Sequence, residues 1–195
     1  MNIALIITNF NLLHLAYSFF DNGISFLRKN HWREHYKFSL EIFNLASKSA
    51  LATCNDSPSF HIICDQVIKN ARCFADKLEI YFVVISSLAD TSKIVEALEK
   101  GLDILSRLGE DIPRKPSQQY LDQQLQKTLV IAKSITDFVN YRIMSDKNIT
   151  TAMKFLGKLQ NVAFFANPIL HSCLVLKMVQ LTVSHGQWNV SILKI

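Results

Sequence analysis

The fold class of this chain is clearest in Lys93–Leu108, which reads KIVEALEKGLDILSRL. Its apolar residues Ile94, Leu98 and Leu102 recur at every fourth position, so they share one face of a helix. Gly109 follows, and glycine is the residue that most often ends a helix, in the left-handed conformation. The stretch therefore predicts an amphipathic helix with a defined end.

Outside this stretch, apolar residues continue at three- and four-residue intervals, and turn residues separate the segments. Only five glycines and four prolines occur among 195 residues, of which 49% are hydrophobic. This leaves few turns for a many-stranded β fold, so we predict an all-α chain. The predicted helices cover residues 9–28, 33–53, 58–71, 75–88, 93–108, 117–133, 146–165 and 168–185.

Three of these helices carry a start signal. Ser57 precedes Pro58, which suits an N-cap followed by a proline in the first turn, and Asn167 precedes Pro168 in the same way. Ser117 is expected to cap the glutamine-rich helix that follows it. The connections between the predicted helices are short, which favours antiparallel neighbours.

Two helix–turn–helix segments, Tyr36–Ala71 and Phe74–Leu108, each span about 35 residues, the length scale of tetratricopeptide-like repeats. We therefore predict antiparallel helix pairs stacked as a tetratricopeptide-like α-solenoid. Residues 1–186 form a single helical-repeat array in this interpretation, and residues 187–195 are a C-terminal tail. Such arrays bind partners on a concave surface.

Charge and cysteine content narrow the function classes. The formal charge of +5 comes from scattered basic residues with no run of five or more, so we expect no nucleic-acid partner. The four cysteines include no Cys-x-x-Cys pair and are too sparse for a secreted disulfide scaffold. We expect reduced thiols and a cytoplasmic location.

The first twenty residues, MNIALIITNFNLLHLAYSFF, are apolar enough to suggest a signal peptide or a membrane anchor. They lack a basic leading region, and Asn9, Asn11 and His14 interrupt the run of about 20 apolar residues that a bilayer requires. We expect no membrane association but a buried helix whose neighbour lies outside this chain. A helical protein anchored in a membrane through Met1–Phe20 is the alternative.

Most of the chain, residues 23–186, resembles the tetratricopeptide-like helical region of large predicted ATPases of the AAA/STAND type. Three stretches, in a fixed order and spacing, carry the resemblance. The first is Ala71–Leu78, which resembles the entry into a repeat. The second joins Glu96-Ala97, Gly101–Leu105, Leu108–Glu110 and Ile112-Pro113. The third joins Ala163–Phe165, Pro168–Leu170, Lys177–Leu181 and His185-Gly186.

In that family an ATPase module is often joined to a protein kinase, a histidine kinase or a cyclase, so the resemblance implies signal transduction. This chain has no phosphate-binding Gly-x-x-x-x-Gly-Lys-Ser/Thr, and its Gly157-Lys158 pair lies inside a helical pattern. The kinase signatures His-Arg-Asp and Asp-Phe-Gly do not occur. We expect a non-catalytic segment without cofactors, whose partner is a protein or a neighbouring domain in cis.

The chain departs from the family pattern in two places. Residues 135–144 stand where the family has an acidic, methionine-containing loop, and after Gly186 the chain stops where family members continue into further helices. We expect a truncated or degenerate copy. Mean hydropathy is +0.16, and terminal helices without neighbours predict exposed apolar surface and self-association.

The alternative function is a zinc-dependent hydrolase. His31-Trp32-Arg33-Glu34-His35 matches the His-x-x-Glu-His pattern of inverted zinc metalloproteases. Residues four apart share a helix face, so His31 and His35 could bind zinc while Glu34 acts as general base. The other interpretation is a solvated helix start, with Trp32 and Tyr36 packing inward.

The cysteines also allow two interpretations. Cys64 and Cys73 could form a redox pair, or either could pair with His61 as nucleophile and base. Nine residues along one helix place the two sulfur atoms too far apart for a disulfide. Free cysteine is usually a small buried hydrophobe, so we expect core packing for all four, including Cys54 and Cys173.

The remaining candidates are assigned packing roles. His171 and His185 lie fourteen residues apart on one predicted helix, too distant to share a metal ion. We expect a partly buried polar side chain for His171 and a C-terminal cap for His185. The pairs Phe19-Phe20 and Phe164-Phe165 could form a ligand pocket or enter a membrane, but are expected to pack between helices.

Overall fold

A computed structural model describes the backbone of residues 3–133 and 142–188, and the side chains from residue 12 onward within those ranges. These residues form helices and no strand, which confirms the all-α prediction for this part of the chain. The helices are α1 (Ile3–Ser25), α2 (His31–Glu34), α3 (Tyr36–Thr53), α4 (Pro58–Asn70), α5 (Phe74–Asp90), α6 (Ile94–Arg107), α7 (Gln118–Ala132), α8 (Lys147–Ala166) and α9 (Pro168–His185).

Most predicted boundaries agree with the observed helices to within about two residues. The first helix differs, because α1 begins at Ile3 rather than at residue 9 and ends at Ser25. The helix predicted from residue 33 is preceded by the short α2 and starts at Tyr36. The predicted tail from residue 189 onward, and residues 135–141 of the departing loop, lie outside the described residues.

The predicted start signals are confirmed. The Ser57 hydroxyl accepts the backbone N–H of Phe60 at 3.1 Å, and the Ser117 hydroxyl accepts that of Tyr120 at 3.1 Å. The Asn167 side-chain oxygen accepts the N–H of Leu170 at 3.0 Å. Each interaction satisfies one of the backbone donors that a helix start leaves without an intrahelical partner.

The structure divides into two compact units at the junction of Ser92 and Lys93. In the first unit, α1 packs on α3, and α3 in turn contacts α2, α4 and α5. Its core contains Phe43, Phe60, Val67 and Ile80, each less than 5% exposed. The stacking of helix pairs from both units into one solenoid stays a prediction.

Tyr36 fixes the start of α5 against the start of α3. Its hydroxyl donates to the Asp76 carboxylate at 2.5 Å and accepts the backbone N–H of Arg72 at 2.9 Å. The Arg72 guanidinium lies 4.1 Å from the centre of the Tyr36 ring, a cation–π contact. Burial raises the pKa of the Tyr36 phenol, so the hydroxyl keeps its proton. The first resemblance stretch is thus the segment that this tyrosine holds.

In the second unit, α9 packs on both α7 and α8, and α6 packs on α8. The amide of Gln180 on α9 donates to the Thr128 hydroxyl at 2.9 Å and to the Gln124 side chain at 3.2 Å. These bonds satisfy polar groups that are buried between α7 and α9. Within the described ranges, no helix meets the length and hydropathy needed to cross a bilayer.

Two glycines in the second unit are required by close contacts. A Cβ atom at Gly101 on α6 would lie 2.3 Å from Cδ2 of Leu159 on α8. Gly186 ends α9 with φ at +108°, and a Cβ there would lie 2.4 Å from the Arg142 carbonyl oxygen. At that point Gln187 donates its N–H to the same carbonyl at 2.7 Å, and its own carbonyl accepts from Met144 at 2.9 Å.

We expect Gly101→Ala to destabilise the chain by about 1–3 kcal/mol, the usual cost of overpacking, because Leu159 is fully buried and cannot move aside. Gly157→Ala on α8 is the matched control. A Cβ there meets Trp188 at an ordinary 3.6 Å, so the better helix propensity of alanine should raise stability by up to about 1 kcal/mol. Urea denaturation measures both, and equal effects would contradict the close α6–α8 contact.

Candidate protein-binding groove

The second unit carries an apolar groove of about 490 Å³ between α6, the segment after it, and the corner between α8 and α9. Its floor is formed by Ile94, Leu98 and Leu102 of α6 and by Leu170 of α9. Three of these belong to the apolar face that the sequence predicted for this helix. Leu98 and Leu102 are nearly buried, whereas Val95 at the edge is 69% exposed.

The wall after α6 begins with a turn at Gly109, where φ is +92°. The backbone N–H of Glu110 donates to the Leu105 carbonyl at 2.8 Å, which confirms the predicted helix end at Gly109. The Glu110 carboxylate is buried and accepts from the Lys177 ammonium of α9 at 2.6 Å. The turn and this ion pair together fasten the segment after α6 to α9.

Charged side chains form the rim of the groove. Arg114 donates to the Asp103 carboxylate at 2.5 Å, and both side chains are more than half exposed. Lys115 lines the groove as well, and among the described residues it has no hydrogen-bond or ion-pair partner. Glu99 is the acidic residue of the lining. An apolar floor with a lysine at its edge can bind an apolar side chain that lies beside a carboxylate.

The residues of the predicted zinc motif, His31, Glu34 and His35, lie in the first unit. The His31 ring stacks on Phe43 with 5.7 Å between the ring centres, and its Nδ1 lies 2.9 Å from the Ser39 hydroxyl oxygen. That hydroxyl also lies 3.0 Å from the His35 carbonyl oxygen, which can only accept. The proton therefore belongs on Nδ1, which donates to Ser39.

Burial lowers the pKa of His31, which keeps the imidazole neutral. Glu34, at the end of α2, and His35, which follows it, are both exposed. Within the described ranges, no three His, Cys, Asp or Glu side chains come together as a metal site. In this structure His31 packs against Phe43 and Ser39, while the other two motif residues face solvent.

The cysteines differ in burial, and none forms a disulfide within the described structure. Core packing is confirmed for Cys64 and Cys173, and burial raises the pKa of the Cys64 thiol to about 12. The core-packing prediction is wrong for Cys73, which is exposed. Cys73 lies directly before α5 and not on the same helix as Cys64. The Nε2 atom of His61 lies 2.8 Å from the Asp56 carboxylate, so this histidine is hydrogen-bonded to Asp56.

The remaining candidates divide between core and surface. His171 is partly buried, as predicted, and its Nδ1 lies 2.9 Å from the Gln160 carbonyl oxygen. Phe20 packs against the core of the first unit. The packing prediction is wrong for Phe19, Phe164 and Phe165, which are 67%, 52% and 91% exposed. The sequence also did not single out Arg114 and Lys115 at the groove, because their role depends on the course of the chain after Gly109.

Comparisons with known proteins leave the family open. No protein-family model matches this chain, and neither a curated protein nor a solved structure does. Assignment to the helical region of signalling ATPases thus stays a prediction. Two stretches that carry the resemblance are in contact in this structure. Glu110 of the second stretch forms an ion pair with Lys177 of the third.

The Glu110–Lys177 pair should contribute more to stability than the exposed Asp103–Arg114 pair. In a double-mutant cycle with Glu110→Gln and Lys177→Gln, we expect a coupling free energy above about 1 kcal/mol, because removing one partner leaves a poorly hydrated charge. The control cycle, Asp103→Asn with Arg114→Gln, should give about 0–1 kcal/mol. Urea unfolding of the single and double variants measures both. Equal coupling energies would argue against burial of Glu110.

Thiol labelling tests the burial of the cysteines. At pH 8, a disulfide reagent such as DTNB should react rapidly with Cys73, while Cys64 and Cys173 react only after unfolding, because burial disfavours their thiolates. Half-buried Cys54 should react at an intermediate rate. Cys73→Ser is expected to remove the rapid phase, and a rapid phase that survives in this variant would contradict the assignment.

Proposed function

We propose that this chain is a non-catalytic, cytoplasmic helical-repeat segment that binds a protein partner or a neighbouring domain in cis, within an ATPase-type signalling protein. The groove on α6 is the observation that carries the proposal. Two of its lining residues, Leu102 and Leu170, also belong to stretches of the family resemblance. Glu110, whose ion pair with Lys177 holds the segment after α6, belongs to the resemblance as well.

The chemistry of the groove defines its occupant. An apolar side chain can cover Leu98, Leu102 and Leu170, which are the parts of the lining closest to the core. A carboxylate next to it can pair with Lys115. A groove of about 490 Å³ is large enough for the anchor residues of one short segment. We infer an amphipathic helix or turn that presents an apolar residue and an acidic residue on one face.

Regulation follows from differential binding. A segment that occupies the groove in one state of an attached module, and leaves it in another, shifts the equilibrium between those states by its binding free energy. The groove is suited to this because Gly109 and the Glu110–Lys177 pair already hold its wall in place. A preformed wall loses little conformational entropy when the occupant arrives.

Position-specific photocrosslinking tests this function. Val95 at the groove edge is replaced by p-benzoylphenylalanine in cells that express the chain, and Val130 on α7 serves as control because it is equally exposed, at 69%. We expect one discrete crosslinked species from position 95 alone. The crosslinked peptide, identified by mass spectrometry, should carry an acidic residue within one helical turn of an apolar one.

A charge reversal supplies the second readout. Lys115→Glu should lower the crosslinking yield from position 95 by about fivefold, equivalent to about 1 kcal/mol for an exposed ion pair. Arg114→Glu, whose wild-type side chain is engaged by Asp103, should have a smaller effect. The same species from positions 95 and 130, or no crosslink from position 95, would refute the groove as the binding surface.

A further inference from the structure

Helix α1 has two apolar faces. Tyr17, Phe20 and Ile24 lie on the inner face and pack against the core of the first unit. A second face exposes four large apolar side chains. These four residues form what we call the outer stripe: Leu12 at 57% exposure, Leu15 at 52%, Phe19 at 67% and Phe26 at 85%.

The outer stripe has the spacing of a coiled-coil seam. Its members follow one another at intervals of three, four and seven residues, the repeat that brings one helix against another along a shared line. Asn22 occupies the seam position inside the longer interval. Phe26 still continues the helical path beyond Ser25, because its N–H donates to the Asn22 carbonyl at 3.3 Å. A second helix is therefore the partner whose shape matches this stripe.

The residues beside the stripe permit pairing with an identical helix. The flanking positions hold Ala16, Ser18, Gly23 and Ser25, which are small and uncharged. Flanking charges normally select the partner in coiled coils, and here no like charges would face one another in a pair of copies. The hydroxyls of Ser18 and Ser25 donate to carbonyls of their own helix at 3.1 and 2.7 Å, so burial leaves no donor unsatisfied.

We propose that the outer stripe binds the outer stripe of a second copy, with the two α1 helices antiparallel. Phe19 lies midway between Leu12 and Phe26. An antiparallel pair centred on Phe19 therefore places each Leu12 against Phe26 of the other copy, so large and smaller side chains alternate. A parallel pair would instead stack phenylalanine on phenylalanine twice, and would align the helix dipoles unfavourably.

The exposed area of the stripe limits the size of the dimer interface. At 67% and 85% exposure, Phe19 and Phe26 leave roughly 230–380 Å² uncovered on each copy. Two copies present about 460–760 Å² from these rings, and the leucines add to it, against about 1,200–2,000 Å² for a standard stable interface. An interface below this size is typical of weak, reversible association.

Sedimentation equilibrium of the full chain tests this inference. We expect a reversible monomer–dimer equilibrium, and a dissociation constant at least about thirtyfold higher for Phe19→Glu, because it removes two central aromatic side chains. Phe165→Glu is the matched control, since its ring is 91% exposed on α8, and it should leave the equilibrium unchanged. Unchanged circular dichroism establishes that both variants fold.

Disulfide trapping tests the orientation. In a background with Cys54→Ser and Cys73→Ser, an antiparallel pair should crosslink Ala16→Cys copies to Asn22→Cys copies in a mixture, and neither variant to itself. Crosslinks within each variant alone would establish a parallel pair and overturn the stated orientation. A monomer at all concentrations, aggregates without defined stoichiometry, or a dimer unaffected by Phe19→Glu would overturn the self-pairing.

This inference is independent of the groove, because the stripe lies in the first unit and the groove in the second. Phe19→Glu should leave the photocrosslink from position 95 intact. A monomeric chain that still gives that crosslink would remove the α1 pairing and keep the proposed function. A chain that still dimerises but gives no crosslink from position 95 would refute the proposed function and keep the α1 pairing.

Discussion

The arrangement of the second unit depends on the lack of a side chain at Gly101. Gly101 faces fully buried Leu159, and a single added carbon would lie 2.3 Å from it. Helix α6 therefore approaches α8 more closely than it could with any other residue at this position. The close approach brings the apolar face of α6 beside the start of α9, and the groove is the space that remains between Leu98, Leu102 and Leu170.

A buried charge determines the course of the chain after that helix. Glu110 needs a partner because an unpaired carboxylate in this environment is costly, and Lys177 supplies it. The turn at Gly109 is the local condition for this pair, since it directs Glu110 back toward α9. Arg114 and Lys115 reach the rim of the groove as a consequence. The Glu110–Lys177 ion pair thus positions Arg114 and Lys115, the basic residues at the rim of the groove.

Helix limits could be predicted from the sequence because they depend on residues within one turn. Ser57 and Ser117 bond to N–H groups three residues away, and Gly109 ends its helix by its own backbone conformation. The groove could not be predicted, because Glu110 and Lys177 are distant in the sequence and neither segment identifies the other. The break at His35 between α2 and α3 could not be predicted either. It is accompanied by a hydrogen bond between Ser39 and His31 that forms only in the folded chain.

Neighbouring aromatic residues on a helix carry information that a packing argument overlooks. Adjacent side chains point about 100° apart, so Phe19 and Phe20 cannot both face the same neighbour. Phe20 reaches the core and Phe19 stays exposed, and on α8 Phe164 contacts His171 while remaining half exposed and Phe165 is almost fully exposed. Such a pair is itself the signal of a helix with two apolar faces. One face accounts for the fold, and the other requires a second partner, which on α1 the seam spacing and uncharged flanks identify as another copy of the same helix.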